Sequence, residues 1–87
     1  DIPEGDFMAM LEGKLVANSQ KFEDVMVRLA RSMCSRKSQF ITIFYGEGAT
    51  PEQAETVREA FAKEAKNAEI NVIDGGQPVY SYIISVE

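Results

Sequence analysis

The glycine-rich stretch YGEGATPEQ, residues 45–53, has the residue types that come nearest to a known binding chemistry in this sequence. Glycine-rich turns between a strand and a helix present backbone N–H groups that bind phosphate. The dinucleotide motif, however, needs glycine where Pro51 stands, and the P-loop needs Lys followed by Ser or Thr. Glu47 also places a negative charge where an anion would lie. The stretch therefore favours a capped turn, open to a protein partner, over a nucleotide site.

Groups able to catalyse a reaction are scarce in the remaining sequence. The chain has no histidine and one cysteine, Cys34, which excludes Cys–His and Ser–His nucleophiles, histidine-bearing metal sites and an intramolecular disulfide. The glutamates between residues 52 and 64 spread over a solvated helix face, so nothing forces two of them into an acid–base pair. Asp74, ahead of two glycines, is typical of a turn. We expect no catalytic residue, metal site or cofactor in this chain.

Three tyrosines, Tyr45, Tyr80 and Tyr82, are stronger candidates for binding. A tyrosine at a strand edge presents an apolar ring and a polar hydroxyl, a combination that contact surfaces prefer. Half-buried packing explains the same residues equally well, so both interpretations stay open at this point.

The closing stretch DGGQPVYSYIISVE, residues 74–87, contains a second candidate site. We predict that Gly75, Gly76, Gln77 and Pro78 form a bend with exposed backbone and one free amide side chain. Because proline cannot donate to a strand ladder, pairing is expected to begin after it. One face of the strand that follows is expected to be apolar and consists of Tyr80, Tyr82, Ile84 and Val86. The bend is a predicted contact site without a reactive group.

Length and charge place the chain among small α/β domains. With 87 residues it has room for one domain, which would bury about 60–65% of the unfolded chain's surface. The net charge of -5 repels phosphate backbones and anionic lipid, so nucleic acid is not an expected partner. No apolar run approaches the roughly 18 residues of a membrane span, and no signal segment opens the chain. We therefore expect a cytoplasmic protein.

Hydrophobic periodicity predicts seven elements in the order ββαβαββ. The Glu12–Gly13 pair suits a tight hairpin turn. The continuous apolar run QFITIFYG indicates a central strand that is buried on both faces. Thr50 as N-cap, Pro51 as first helical residue and Gln53 as partner in a capping box predict the start of the second helix. The predicted elements are strands near 6–11 and 14–17, a helix at about 20–35, a strand over 39–46, a helix from Thr50, and strands over 68–74 and 78–86.

The connections predict an α/β (α+β) fold, a two-layer sandwich in which two helices pack on a mixed sheet. The strand–helix–strand unit over 40–73 has the spacing of a right-handed crossover, so its strands are expected to be parallel. The hairpin-like joins near 12–13 and 75–76 are expected to connect antiparallel neighbours. We expect residues 1–5 to be a linker and residues 6–87 to be one subdomain, the C-terminal piece of a longer protein.

Two segments resemble a known family. ITIFYGEGATPEQAE, followed by the ending DGGQPVYSYIISVE, is similar to the C-terminal region of the ATP-binding subunit of bacterial fatty acid kinase. Members of that family carry an N-terminal domain like that of dihydroxyacetone kinase (DAK2, or DhaL, type). The resemblance begins near Phe7 and implies that ATP and magnesium bind outside this fragment. It implies a parent that is an ATP-dependent kinase, with a homodimer as one arrangement open to it, and a fragment without activity of its own.

The resemblance also implies a partner. In the family this region is similar in fold to a DegV-like subunit that binds fatty acid, and it is implicated in docking that partner, so that the acyl chain becomes an acyl phosphate for phospholipid metabolism. Gly48 departs from the acidic residue expected in the family's turn. The partner-binding positions that the resemblance assigns are Tyr45, Gly46, Glu47, Gly75, Gly76, Gln77, Pro78, Tyr80 and Tyr82.

Two other interpretations stay open. The chain could be a lobe of a fatty-acid or other small-ligand pocket, lined by Met8, Met10, Met26 and Met33, although methionines pack protein cores just as well. It could also be a structural cap that completes the sheet of a preceding lobe.

Overall fold

Seven elements follow one another in the predicted order ββαβαββ in this computed structural model, which describes residues 4–87. The predicted α/β fold is confirmed, and the predicted linker falls partly on residues 1–3, which lie outside the described residues. The elements are β1 (Phe7–Leu11), β2 (Lys14–Ser19), α1 (Phe22–Met33), β3 (Phe40–Tyr45), α2 (Pro51–Glu64), β4 (Glu69–Asp74) and β5 (Tyr82–Val86).

Strands β1 and β2 form an antiparallel hairpin that is a two-stranded sheet of its own. Its two-residue turn has positive φ at both Glu12 (53°) and Gly13 (80°), the geometry whose twist matches that of the flanking strands. The inner face of the hairpin contributes Ala9 and Ala17 to the core. Small residues there let the hairpin approach α1 closely.

Helix α1 packs through a stripe at steps of three and four, whose members are Val25, Met26, Leu29 and Ala30. Cys34 follows the helix and is half-buried, and burial, with a smaller contribution from the Glu64 carboxylate, raises the pKa of its thiol. The thiol is therefore held in its neutral form and packs against the core as a small apolar side chain.

Helix α2 begins with the predicted capping box. The Thr50 hydroxyl accepts a hydrogen bond from the Gln53 amide at 3.1 Å, and the Gln53 side chain accepts one from the Thr50 amide at 3.4 Å. Pro51 occupies the first turn, where its missing N–H leaves no bond unmade. The helix buries Val57 and Phe61 completely against the sheet and α1.

The second sheet has the strand order β4-β3-β5, with β3 in the centre. Strands β3 and β4 are parallel, as the crossover predicted, and β5 is antiparallel to β3. The prediction that β4 and β5 are hairpin neighbours is wrong, because residues 75–81 cross the carboxyl end of β3 and deliver β5 to its far edge. Pairing of β5 starts at Tyr82, after Pro78 as predicted.

Only one face of this sheet is covered by residues 4–87. Ile41 and Ile43 are completely buried beneath the helices, whereas Phe40, on the opposite face, is 52% exposed. The predicted burial of β3 on both faces is therefore wrong for this chain, because α1 and α2 share one core with the same side of β3. Within the described residues, no helix is both long and apolar enough to cross a membrane.

Replacement of the capping threonine tests whether the Thr50 side chain stabilises the start of α2. Thr50→Ala should lower the free energy of unfolding by about 1 kcal/mol, because the Gln53 amide loses its acceptor. Thr56→Ala is the matched control. The Thr56 hydroxyl donates a hydrogen bond to the Glu52 carbonyl within the helix and caps no free amide. This control should be neutral or slightly stabilising. Urea unfolding of both variants measures the difference, and equal losses would contradict a capping role for Thr50.

Candidate functional site

The two segments that the sequence singles out meet at the carboxyl end of β3. The Gly46 amide donates a hydrogen bond to the Ser81 carbonyl at 2.7 Å, and the Glu47 amide donates one to the Gln77 carbonyl at 3.0 Å. The turn at 45–48 and the bend at 75–81 thus form one structure, although about thirty residues of chain separate them. The carboxyl ends of sheet strands are a common location of binding sites in α/β folds.

Further hydrogen bonds fasten the bend to β3. The Tyr45 carbonyl accepts from the amides of both Gly75 and Gly76, at 2.9 and 3.2 Å. The Gln77 side-chain amide donates to the Phe44 carbonyl at 3.1 Å, so the prediction that this amide is free is wrong. Gln77 fixes the bend against β3 and its turn through two hydrogen bonds. Its carbonyl accepts from the Glu47 amide, and its side-chain amide donates to the Phe44 carbonyl.

Glycine is required at Gly46 by close approach rather than by φ. A Cβ atom there would lie 2.5 Å from the carbonyl oxygens of Gln77 and Tyr80, far inside van der Waals contact. At Gly75 a Cβ would instead meet the Gln77 side chain and, at 3.2 Å, the Phe44 Cβ. The bend therefore lies directly on the backbone of the turn.

Val79 is the most unusual residue of the bend. Its φ is 73°, and the Tyr80 amide donates back to the Pro78 carbonyl at 2.8 Å, which closes a three-residue γ-turn of the rare positive-φ type. A β-branched residue is strained in this conformation. The Val79 side chain is nonetheless 92% exposed and gains no packing from it. Sequence reasoning missed Val79, because β-branched residues such as valine rarely adopt positive φ.

The three candidate tyrosines lie in different surroundings. Tyr80 precedes β5 and is 64% exposed, so it lies outside the strand face that it was predicted to share. Tyr82 packs its ring against Phe22, with ring centroids 5.6 Å apart, and burial raises the pKa of its hydroxyl. That hydroxyl has no hydrogen-bond partner within residues 4–87. The structure thus gives Tyr82 a packing role and leaves Tyr80 available for contact.

Tyr45 is half-buried at the end of β3 and borders an open groove of about 280 Å³ against the start of α2. Tyr45 therefore lies at the border between the turn and the helix. The other residues that line this groove are Pro51, Ala54, Glu55, Arg58 and Val72.

An apolar row adjoins the bend on the uncovered face of the sheet. Phe44 lies between Ile73 of β4 and Ile83 of β5 in the strand register, and the two isoleucines are 42% and 48% exposed. The sequence did not indicate that this row is exposed, because the pattern of β3 predicted burial on both faces. We refer to this row, together with the exposed Val79 and Tyr80 of the neighbouring bend, as the bend surface.

The chemistry of the bend surface is that of contact. Its ionisable neighbours are Glu47 and Asp74, and the Asp74 carboxylate accepts a hydrogen bond from the Gly76 amide at 3.1 Å, as expected of a turn acid. No group of three potential metal ligands occurs within the described part of the chain. A backbone bend with exposed apolar side chains can recognise the surface of another molecule.

Comparison with known proteins identifies one family over the whole chain. Residues 1–87 match the FakA-like C-terminal family of fatty acid kinase subunits. The chain is 34% identical over 87 residues to protein YloV of Bacillus subtilis and 32% identical over 87 residues to an uncharacterized protein of Staphylococcus haemolyticus. It is 26% identical over 87 residues to an uncharacterized protein of Staphylococcus aureus. Each match covers 100% of this chain but 16% of the relative's length.

Two alanine substitutions separate backbone contact from side-chain contact in the bend. Gly46→Ala should lower the free energy of unfolding by about 2–3 kcal/mol, because two carbonyl oxygens must move. Gly75→Ala should cost about 1 kcal/mol, because mainly the Gln77 side chain must yield its bond to Phe44. Neither glycine has positive φ, so backbone strain does not confound the pair. Chemical denaturation of both variants measures the two decreases in the free energy of unfolding. A larger decrease for Gly75→Ala than for Gly46→Ala would contradict this prediction.

Relief of the γ-turn tests the strain at Val79. Val79→Gly should raise the free energy of unfolding by up to about 1 kcal/mol, because glycine adopts positive φ without steric conflict. Val79→Ala is the control, since it keeps a Cβ and removes only exposed atoms, so it should change stability much less. Thermal unfolding distinguishes them. Destabilisation by Val79→Gly would show that the side chain, not the backbone, stabilises the bend.

Proposed function

Since the chain belongs to the FakA-like C-terminal family of fatty acid kinase subunits, we propose that it is the non-catalytic docking lobe of such a kinase. In this proposal it binds a DegV-like protein subunit that carries the fatty acid, and the acyl carboxylate is then phosphorylated elsewhere in the complex. The chain spans 16% of the length of its relatives, so the nucleotide and magnesium belong to a kinase domain in the remaining polypeptide. The complex would act in the cytoplasm.

The observation that carries the proposal is the exposed tip of the bend. Val79 is held at positive φ with its side chain in solvent, and Tyr80 beside it is also exposed. Strained backbone persists where surrounding bonds over-determine it, and such positions cluster at functional sites. Here those bonds are the ones that connect the bend to β3 and the turn. A protein that displays an apolar tip in a rigid frame has preorganised a contact, which lowers the entropic cost of binding.

The bend surface also has the composition of a recognition site. Its exposed apolar side chains are the aromatic Tyr80 and the aliphatic Ile73, Val79 and Ile83, and the neighbouring Glu47 and Asp74 are exposed carboxylates. Interfaces between separately folded proteins combine an apolar centre with a polar edge in this way. Tyr80 is the residue best suited to anchor a partner, because its ring offers a large apolar contact area and its hydroxyl can remain hydrogen-bonded to water at the edge of the interface.

A fatty-acid pocket within this lobe is a weaker candidate. Met26 is buried in the core, Met33 is half-buried, and Met8 and Met10 are exposed on the hairpin, so the four methionines do not share a lining. Neither of the two open grooves described by the structure contains a methionine. The docking proposal needs no cavity.

Affinity measurements on the full-length protein test docking. Tyr80→Ala should weaken binding of the purified DegV-like subunit by about tenfold or more, as expected for an exposed aromatic anchor. Phe40→Ala is the matched control, because Phe40 is a similarly exposed aromatic at the opposite end of β3. Tyr82→Phe is a second control, since it removes only a buried hydroxyl. Both controls should bind within about twofold of the wild type, and calorimetry measures all three.

Three outcomes would count against this function. Equal weakening by Tyr80→Ala and Phe40→Ala would mean that contact is not centred on the bend. Unchanged affinity combined with lower stability of Tyr80→Ala would favour a structural cap. Saturable shifts of the methionine methyl resonances with a long-chain fatty acid, in the absence of the DegV-like subunit, would favour the pocket.

A further inference from the structure

The β1–β2 hairpin has an outer face that is largely apolar, with the polar Asn18 opposite Met8 at one end. Met10 lies directly opposite Leu15, and Met8 lies one strand step away on the same side. A bulge leaves Val16 as an extra residue between Leu15 and Ala17, so both Leu15 and Val16 remain exposed. These residues, which we call the hairpin face, are 36–57% exposed and comprise Met8, Met10, Leu15 and Val16.

The hairpin face is unexpected for a surface in contact with water. The hairpin is a two-stranded sheet, an arrangement that is marginally stable unless it packs against something else. Its inner face buries the small side chains Ala9 and Ala17 and packs Phe7 edge-on against Phe22, while Met8, Met10, Leu15 and Val16 stay exposed. A cluster of four exposed apolar side chains in a small domain marks a contact site.

Charge distinguishes this face from the bend surface. The charged residues of the two strands and their turn, Glu12 and Lys14, lie at the turn, and Asp6, just before β1, accepts a hydrogen bond from the Asn18 amide at 3.0 Å. The bend surface, by contrast, is bordered by Glu47 and Asp74. Permanent interfaces are more apolar and poorer in charge than those between partners that associate and separate. The hairpin face therefore fits a contact that is not broken during function.

Chain connectivity indicates which contact this is. The family description places the matched region at the C-terminal end, and the relatives have most of their length outside it. In such a protein the preceding polypeptide leads directly into β1, which begins at Phe7. A covalently attached segment meets the hairpin face at a high effective concentration and needs no separate binding event.

We propose that the hairpin face is an intramolecular interface, covered by the polypeptide that immediately precedes this chain in the longer protein. The contact joins this lobe rigidly to the rest of that protein, and the bend surface is then held in a fixed direction. The inference depends on family membership and is independent of the DegV-like partner, because the covering segment belongs to the same polypeptide.

Methionine oxidation in the full-length protein tests the interface without any substitution. Met8 and Met10 are exposed in this chain, whereas Met26 is buried in its core and serves as an internal reference. With hydrogen peroxide and peptide mass spectrometry, Met8 and Met10 should oxidise at least about tenfold more slowly than in urea, and within about threefold of Met26. Oxidation of Met8 and Met10 at the rate found in urea would overturn the proposal.

The same measurement identifies any other occupant. Protection that disappears on dilution of the full-length protein would assign the face to a second copy. Protection that appears only after addition of the DegV-like subunit would assign it to that partner. Either result overturns the intramolecular interface, and neither bears on whether Tyr80 anchors docking, which the affinity measurements decide separately.

A pair of variants gives a second readout. Met10→Gln keeps the side-chain length but places an amide in the interface, so proteolytic cleavage of residues 1–6 in the full-length protein should accelerate by about tenfold or more. Phe40→Gln changes an exposed apolar residue outside the hairpin and should leave cleavage within about twofold. Equal cleavage of the two variants would contradict the proposal.

Discussion

The attachment of the 75–81 bend to the carboxyl end of β3 is the constraint on which the second half of the structure depends. The end of β3 and its turn provide carbonyl acceptors to Gly75, Gly76 and the Gln77 side chain, and amide donors to the Gln77 and Ser81 carbonyls. These bonds carry the chain across the strand end. Strand β5 consequently reaches the free edge of β3, and β3 becomes the central strand. A tight turn at the two glycines would have paired β5 with β4 and left β3 at an edge.

Local sequence patterns predicted the helices and strands well, because interactions between residues near one another in the chain determine where these elements begin and end. The capping box needs only the four successive residues 50–53, and the hairpin turn needs only Glu12 and Gly13. The location of β5 and the bond between the Gln77 amide and the Phe44 carbonyl depend on residues 33 or more positions apart. Sequence spacing carries no information on such pairings. Val79 shows the same limit, because its φ is imposed by the bonds around it and opposed by its own residue type.

The error about β3 is informative. Its continuous apolar run predicts two covered faces, but this chain covers one, and Phe40 remains exposed while Ile41 and Ile43 are buried. The hairpin has the same imbalance, with alanines inside and methionines outside. Both patterns agree with a chain that spans 16% of its relatives. Both patterns leave apolar side chains exposed on faces that residues 4–87 do not cover.

The two uncovered surfaces differ in the way their backbones are stabilised. On the hairpin face the backbone is regular apart from one bulge, so the face would gain stability by being covered permanently. On the bend surface the backbone is strained at Val79, and several hydrogen bonds to β3 and its turn compensate for that strain. Glycine at this position would relieve the strain, because it adopts positive φ without steric conflict. Valine therefore places an exposed apolar side chain at a strained position of the bend, which agrees with the docking surface proposed above.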